Sequence, residues 1–167
     1  MKDRILKWGF KIPEEFNQDY KPTVRQKKLD QWIKNHKAGQ HIIFTDLNLE
    51  KYQDLLYLVW RLTTTGKVKN FIGLVNLGDL VNAPFADRRD LEVDIQNQLD
   101  SASFVVFEDF DLYPKKEEYI SKAHWATRKC MKQNISMILS LTGDESSLNN
   151  LVGTTTYLKF IEKAVQV

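Results

Sequence analysis

Two adjacent carboxylates, Glu108 and Asp109, follow the apolar run Phe104-Val105-Val106-Phe107. A pair of acids at the exit of a buried strand is an arrangement used by nucleotide hydrolases. One carboxylate holds Mg²⁺ through water; the other orients or deprotonates the attacking water. Asp111 adds a third carboxylate. Acidic residues also end strands because the next segment is solvated, so the pair alone does not define a site. Other chemistry is poorly supplied. The histidines His36, His41 and His124 lack the His-x-x-x-His spacing of a metal pair, so they read as surface or satisfied side chains and no metal is expected. No Gly-x-Ser-x-Gly elbow supplies a hydrolase nucleophile. The single cysteine, Cys130, excludes an internal disulfide framework and reads as a buried, inert thiol. It stands six positions from His124 on one predicted helix, on a different face.

The elements that must position the acidic pair are legible as apolar patterns. Residues 23–37 read as a helix with Val24, Leu29, Trp32 and Ile33 on one face, ended by Gly39. Residues 41–44 read as a buried strand, 45–49 as a turn, and 50–62 as a helix with a broad stripe of Leu55, Leu56, Leu58, Val59 and Leu62. A second strand is expected over 71–75, a short helix or loop over 76–81, and a helix over 90–99. Residues 104–107 read as a third strand, central by its continuous apolar character. A long helix follows over 116–133, a fourth strand over 135–141, a turn or short helix over 146–152, and a closing helix or strand over 157–165. Short apolar strands alternating with helices predict a parallel sheet covered on both faces. The expected fold is α/β: a three-layer sandwich with a mostly parallel sheet. It forms a single domain over 23–167, after a lead-in over 1–22. In such sheets the working crevice lies at the carboxyl ends of the strands.

Composition narrows the function classes. The chain has 167 residues, of which 43% are hydrophobic and 28% charged, enough for a self-sufficient core. Its 24 basic and 22 acidic residues nearly cancel, so no overall basic field favours nucleic acid. No apolar run approaches the roughly 18 residues of a membrane span, and the start leads into no signal-peptide apolar region because Lys7 and Lys11 interrupt it. A cytoplasmic location in a bacterial host cell, away from membranes, is expected.

The order Ile12-Pro13-Glu14-Glu15-Phe16, then Ala38-Gly39-Gln40-His41-Ile42-Ile43-Phe44, then Ala102-Ser103-Phe104-Val105-Val106-Phe107-Glu108-Asp109-Phe110-Asp111, resembles the bacterial helicase-loader branch of the AAA+ ATPases, the DnaC and DnaI type. The resemblance covers roughly residues 12–150. It implies a P-loop NTPase (AAA+)-like fold with a glycine-rich phosphate loop after the first strand and Glu108-Asp109 ending a Walker B strand. It also implies an arginine on the following helix, at Arg128, and a sensor strand ending in a polar residue, at Thr142. The chain departs from that family where phosphate would bind. The loop should read Gly-x-x-Gly-x-Gly-Lys-[Ser/Thr]; here it reads Thr45-Asp46-Leu47-Asn48-Leu49-Glu50-Lys51-Tyr52. The lysine position survives as Lys51, Thr45, Asn48 and Glu50 hold the glycine positions, and Tyr52 replaces the Mg²⁺-ligating hydroxyl. Glycines let consecutive amides close on phosphate with no Cβ in the way. Asp46 and Glu50 add repulsion of about 4 kcal/mol per unit charge about 4 Å from an anionic oxygen. Lys51 then reads as a solvated residue of the helix's first turn. The expectation is a nucleotide-binding fold without a nucleotide, and so with no cofactor and no catalytic residue.

Binding features are better populated. Lys21, Arg25, Lys27, Lys28, Lys34 and Lys37 make the N-terminal third basic, and Lys115, Lys116, Lys122, Lys129 and Lys132 form a second group. Trp8, Phe10, Tyr20 and Trp32 accompany the first. Glu92, Asp94 and Asp100, with Glu108, Asp109 and Asp111, are expected as exposed acids able to face a basic partner surface. Residues 98–104 faintly resemble a sliding-clamp-binding peptide, but Phe104 opens a strand expected to be buried. The reading is a non-catalytic AAA+-like protein that binds a bacterial replisome component, the replicative helicase or the sliding clamp. A phage-type modulator or inhibitor of host DNA replication suits it, and a homodimer is compatible. The alternatives are an ATP-dependent helicase loader with an atypical phosphate site and a single-stranded DNA-binding protein.

Overall fold

In the computed structural model, which describes residues 11–68 and 72–167, five parallel strands form one sheet. Their order in space is β2-β3-β4-β1-β5, with β1 at His41–Phe44, β2 at Ile72–Val75, β3 at Phe104–Phe107, β4 at Ser136–Ser140 and β5 at Ala164–Gln166. The middle strand is therefore β4. The run Phe104–Phe107, expected at the centre, lies one place away between β2 and β4. Both strands are buried along their length, so apolar continuity cannot rank them.

Period-two alternation divides each inner strand between two cores. Ile43, Val105, Phe107, Met137 and Leu139 face one layer. Ile42, Phe44, Phe104, Val106 and Ile138 face the other. The first layer is covered by α3 (Leu77–Asn82), α4 (Phe85–Ser101), α5 (Glu117–Lys132), α6 (Ser146–Val152) and α7 (Thr154–Ile161). The second is covered by α1 (Val24–Asn35) and α2 (Leu49–Thr64). Thr23 and Gln26 close a reciprocal capping box at the start of α1. The α1–α2 pair is tied by Arg25 to Glu50 and Asp54 and by Arg61 to Asp30.

Residues 11–22, within the expected lead-in, pack on the second layer. Phe16 is buried and stacks on Trp60, and Tyr20 packs edge-on against it, which extends the second core. Trp8, Phe10 and Phe71 lie outside the described residues. The helix expected over 90–99 begins earlier, at Phe85, because Pro84 fits the non-helical turn that opens it. The closing element expected over 157–165 is two elements, α7 and then β5, which pairs with β1.

Candidate functional site

Three strand exits meet at the carboxyl edge of the sheet. The first leads from β1 through residues 45–48 into α2. It is short, and it turns at Asp46 with φ 48°. The second leaves β3 through Glu108 and Asp109, the latter at φ 45°. Aspartate is among the few non-glycine types that enter this left-handed region readily. The third leaves β4 through Leu141, Thr142 and Gly143.

The first exit is closed by its own neighbours. The Thr45 amide donates to the Val167 carbonyl at 3.4 Å, the Asp46 amide to Gly143 at 2.9 Å and the Leu47 amide to Leu141 at 3.0 Å. Asn48 caps α2, its Oδ1 accepting from the Lys51 amide at 3.0 Å. Consecutive amides of a phosphate loop must point at the anion; here three in succession point at protein carbonyls. Lys51 was expected in solvent. Its Nζ instead turns back and donates to the Thr45 carbonyl at 2.7 Å and to Val167 at 3.3 Å. The ammonium is drawn there because the first exit and the chain end bring two carbonyls together beside it. Glu50 points away from the loop, toward Arg25 at 2.9 Å.

Tyr52 stands beside the acidic pair. Partial burial raises its phenol pKa, and the charges of Glu108 and Asp109 raise it further. Glu108 is half-buried, and burial, then Asp109, then Asp79 raise its carboxyl pKa above the ordinary value. Asp109 is held from behind: its amide donates to Ser140 Oγ at 3.0 Å, and the Tyr119 hydroxyl donates to its carbonyl at 3.2 Å. Tyr52 is thus near enough to Glu108 and Asp109 to feel their charges.

The remaining positions separate from this group. Asp111, expected as an exposed partner contact, is buried. Its carboxylate accepts from the Thr142 amide and hydroxyl, the Gly143 amide and Ser147 Oγ at 2.7–3.1 Å. It clamps the sensor-like loop because buried donors there need an acceptor, and Thr142 is committed to that clamp. Arg128 is not brought to the acidic pair. Tyr119, near the start of α5, touches Asp109, and Arg128 lies nine residues on along the helix, about 13 Å further by helical rise. Glu92 pairs with Lys122, and Asp100 pairs with Lys129 at 2.7 Å, so neither is a free acidic contact. Asp94 is exposed on α4. Lys115 and Lys116 are exposed before α5, with Lys116 over the Tyr113 ring. Cys130 is buried, and burial pushes its thiol up to about 12.

One feature of the first exit had no sequence signal. The carbonyls that take the loop amides, and the Val167 carbonyl that takes Lys51, come from residues 94 or more positions away. Phe104 is buried, so the stretch over 98–104 cannot present it to a clamp.

No protein-family model matches the chain, nor does any curated protein sequence. Solved structures do. Domain III of the replication initiation protein DnaA from Thermotoga maritima aligns with a TM-score of 0.68 at 8% identity, over 95% of this chain and 69% of that one. AMPPCP-bound DnaA from Aquifex aeolicus aligns at 0.65 and 11% identity, over 93% of this chain and 51% of that one. DnaI aligns at 0.63 and 10% identity, over 91% and 86%. The chain thus spans about half the length of the Aquifex DnaA chain it matches. The five-stranded parallel sheet and these neighbours agree: the chain has the α/β fold seen in DnaA domain III and DnaI.

Proposed function

We propose that this chain is a non-catalytic AAA+-fold protein. It binds a component of the bacterial DNA-replication machinery, the replicative helicase or the sliding clamp, as a phage-type modulator or inhibitor of host replication. The fold neighbours are replication-initiation and helicase-loader proteins, which supports the setting. One observation carries the non-catalytic part. The loop amides of Thr45, Asp46 and Leu47 and the Lys51 ammonium are hydrogen-bonded to the carbonyls of Leu141, Gly143, Thr45 and Val167. A Mg²⁺–nucleoside triphosphate needs those donors, so the groups present do not fit it. Asp46 beside the loop opposes an anion, and Tyr52 lacks the short hydroxyl arm of a metal-ligating serine or threonine.

The runner-up is an ATP-dependent loader, favoured by the acidic pair that does stand at the β3 exit beside Tyr52. One experiment separates the two. The immobilised chain is exposed to purified bacterial replicative helicase and sliding clamp, with and without Mg²⁺–ATP, and turnover is followed in parallel. The expected result is saturable binding to one of them, unchanged by nucleotide, with no turnover above background. Binding to neither contradicts the partner reading. Turnover that disappears in Glu108→Gln contradicts the non-catalytic one.

A further inference from the structure

A groove lies on the first helical layer, between α5 on one side and α6–α7 on the other. It holds about 1280 Å³, more than the roughly 300–1,000 Å³ of small-molecule pockets. The α5 positions 117, 120–121, 124–125, 128–129 and 131–132 line it, at least one site per helical turn along the 16-residue helix. A binding face this long suits an extended or helical segment of a macromolecule.

Its chemistry is divided. Ile120, Trp125 and Met131 supply apolar surface, and Trp125 is 38% exposed, although large aromatics are usually covered. Arg128, Lys132 and Lys159 stand at the rim, against one acidic lining residue, Glu117. The ion pairs among the described residues engage Lys129 with Asp100 but include none of those three cations. Gly153 joins α6 to α7 at φ 73°, and a Cβ there would meet His124 Nε2 at 2.8 Å. That close approach fixes the separation of the two walls. Trp, Met and Arg are the types enriched in the centres of protein interfaces. A nucleic-acid strand would instead be tracked by cations along the whole groove. Here they gather toward the C-terminal half of α5, and Glu117 stands at the other end.

We propose that this groove takes an acidic, amphipathic segment of a partner protein, its apolar side chains against Ile120, Trp125 and Met131 and its carboxylates on Arg128, Lys132 and Lys159. The inference deepens the partner-binding reading above and rests on it.

The test is a selection of displayed random 16-residue peptides on the full chain, on Arg128→Glu/Lys159→Glu and on Trp125→Ala, each first shown to be folded by circular dichroism. All three altered residues lie on the surface, and Lys132→Glu serves if the double variant does not fold. The wild-type chain should enrich peptides with apolar residues at helical spacing flanked by Asp and Glu. Charge reversal should weaken the binding of those peptides about tenfold or more, and Trp125→Ala should also weaken it. Enrichment without acidic character, or binding that none of the variants moves, overturns the proposal. So does binding of a (dT)20 strand, or self-association in sedimentation, that charge reversal abolishes, because the occupant would then be nucleic acid or a second copy. The selection contains no replication protein. Its failure is therefore distinct from failure to bind helicase or clamp, and each result stands without the other.

Discussion

Lys51 is held by the backbone rather than by solvent. Its ammonium donates to two backbone carbonyls, Thr45 at 2.7 Å and Val167 at 3.3 Å, and so joins the first strand exit to the chain end. Lys51→Ala is expected to lower unfolding stability by about 1–2 kcal/mol in urea titrations, the loss of a charge-assisted bond to half-buried acceptors. An unchanged midpoint would mean that the lysine is not held there. His41 gives the residue-scale pH dependence. It is buried, its ring stacks on Phe160, and its Nδ1 accepts from the Met137 amide at 3.1 Å. A proton on that nitrogen would set donor against donor. Burial, then Lys163, then His36 pull its pKa down to about 4, below the ordinary 6.5. The unfolded chain therefore binds the proton more readily between these values, and stability is lost as pH falls from about 6.5 to about 4. Thermal melts across that interval should fall, and His41→Asn, which keeps an acceptor, should flatten the slope. His36, hydrogen-bonded to Ser136 at 2.7 Å and also lowered to about 4, chiefly by burial, contributes in the same direction.

At the scale of elements, the edge strand β2 is protected by a side chain. Gln98 of α4 is buried, and its Oε1 accepts the Leu74 amide at 2.7 Å. An unpaired edge amide invites pairing with another chain. Gln98→Ala should speed hydrogen exchange at Leu74 and cost about 1–3 kcal/mol; exchange unchanged at Leu74 would show that the amide finds another acceptor. Local pattern made α2, β1, β3, α5 and β4 legible, because each buries a continuous stripe or run. It did not reveal that α7 ends before β5. The three residues of β5 become a strand only by pairing with β1, a contact more than 120 positions away in sequence. The acidic pair was legible because it directly follows an apolar strand. The hydrogen bonds that close the first exit were not, because their acceptors arrive from β4 and the chain end. Asp111 was misread for the same reason: nothing near it in sequence announces the four donors that surround it.

At the scale of the whole molecule, a formal net charge of +2 gives no long-range field toward DNA, so the recognition we propose is assigned to a local surface, the α5 groove. The fold is shared with DnaA domain III and DnaI, and at the carboxyl edge of the sheet the first strand exit is hydrogen-bonded to the β4 exit and to Val167. Calorimetric titration of Mg²⁺–ATP into the full chain tests this most directly. The account predicts no saturable heat, with any dissociation constant weaker than about 1 mM. A dissociation constant near 1 μM, about 8 kcal/mol of binding free energy, would contradict it.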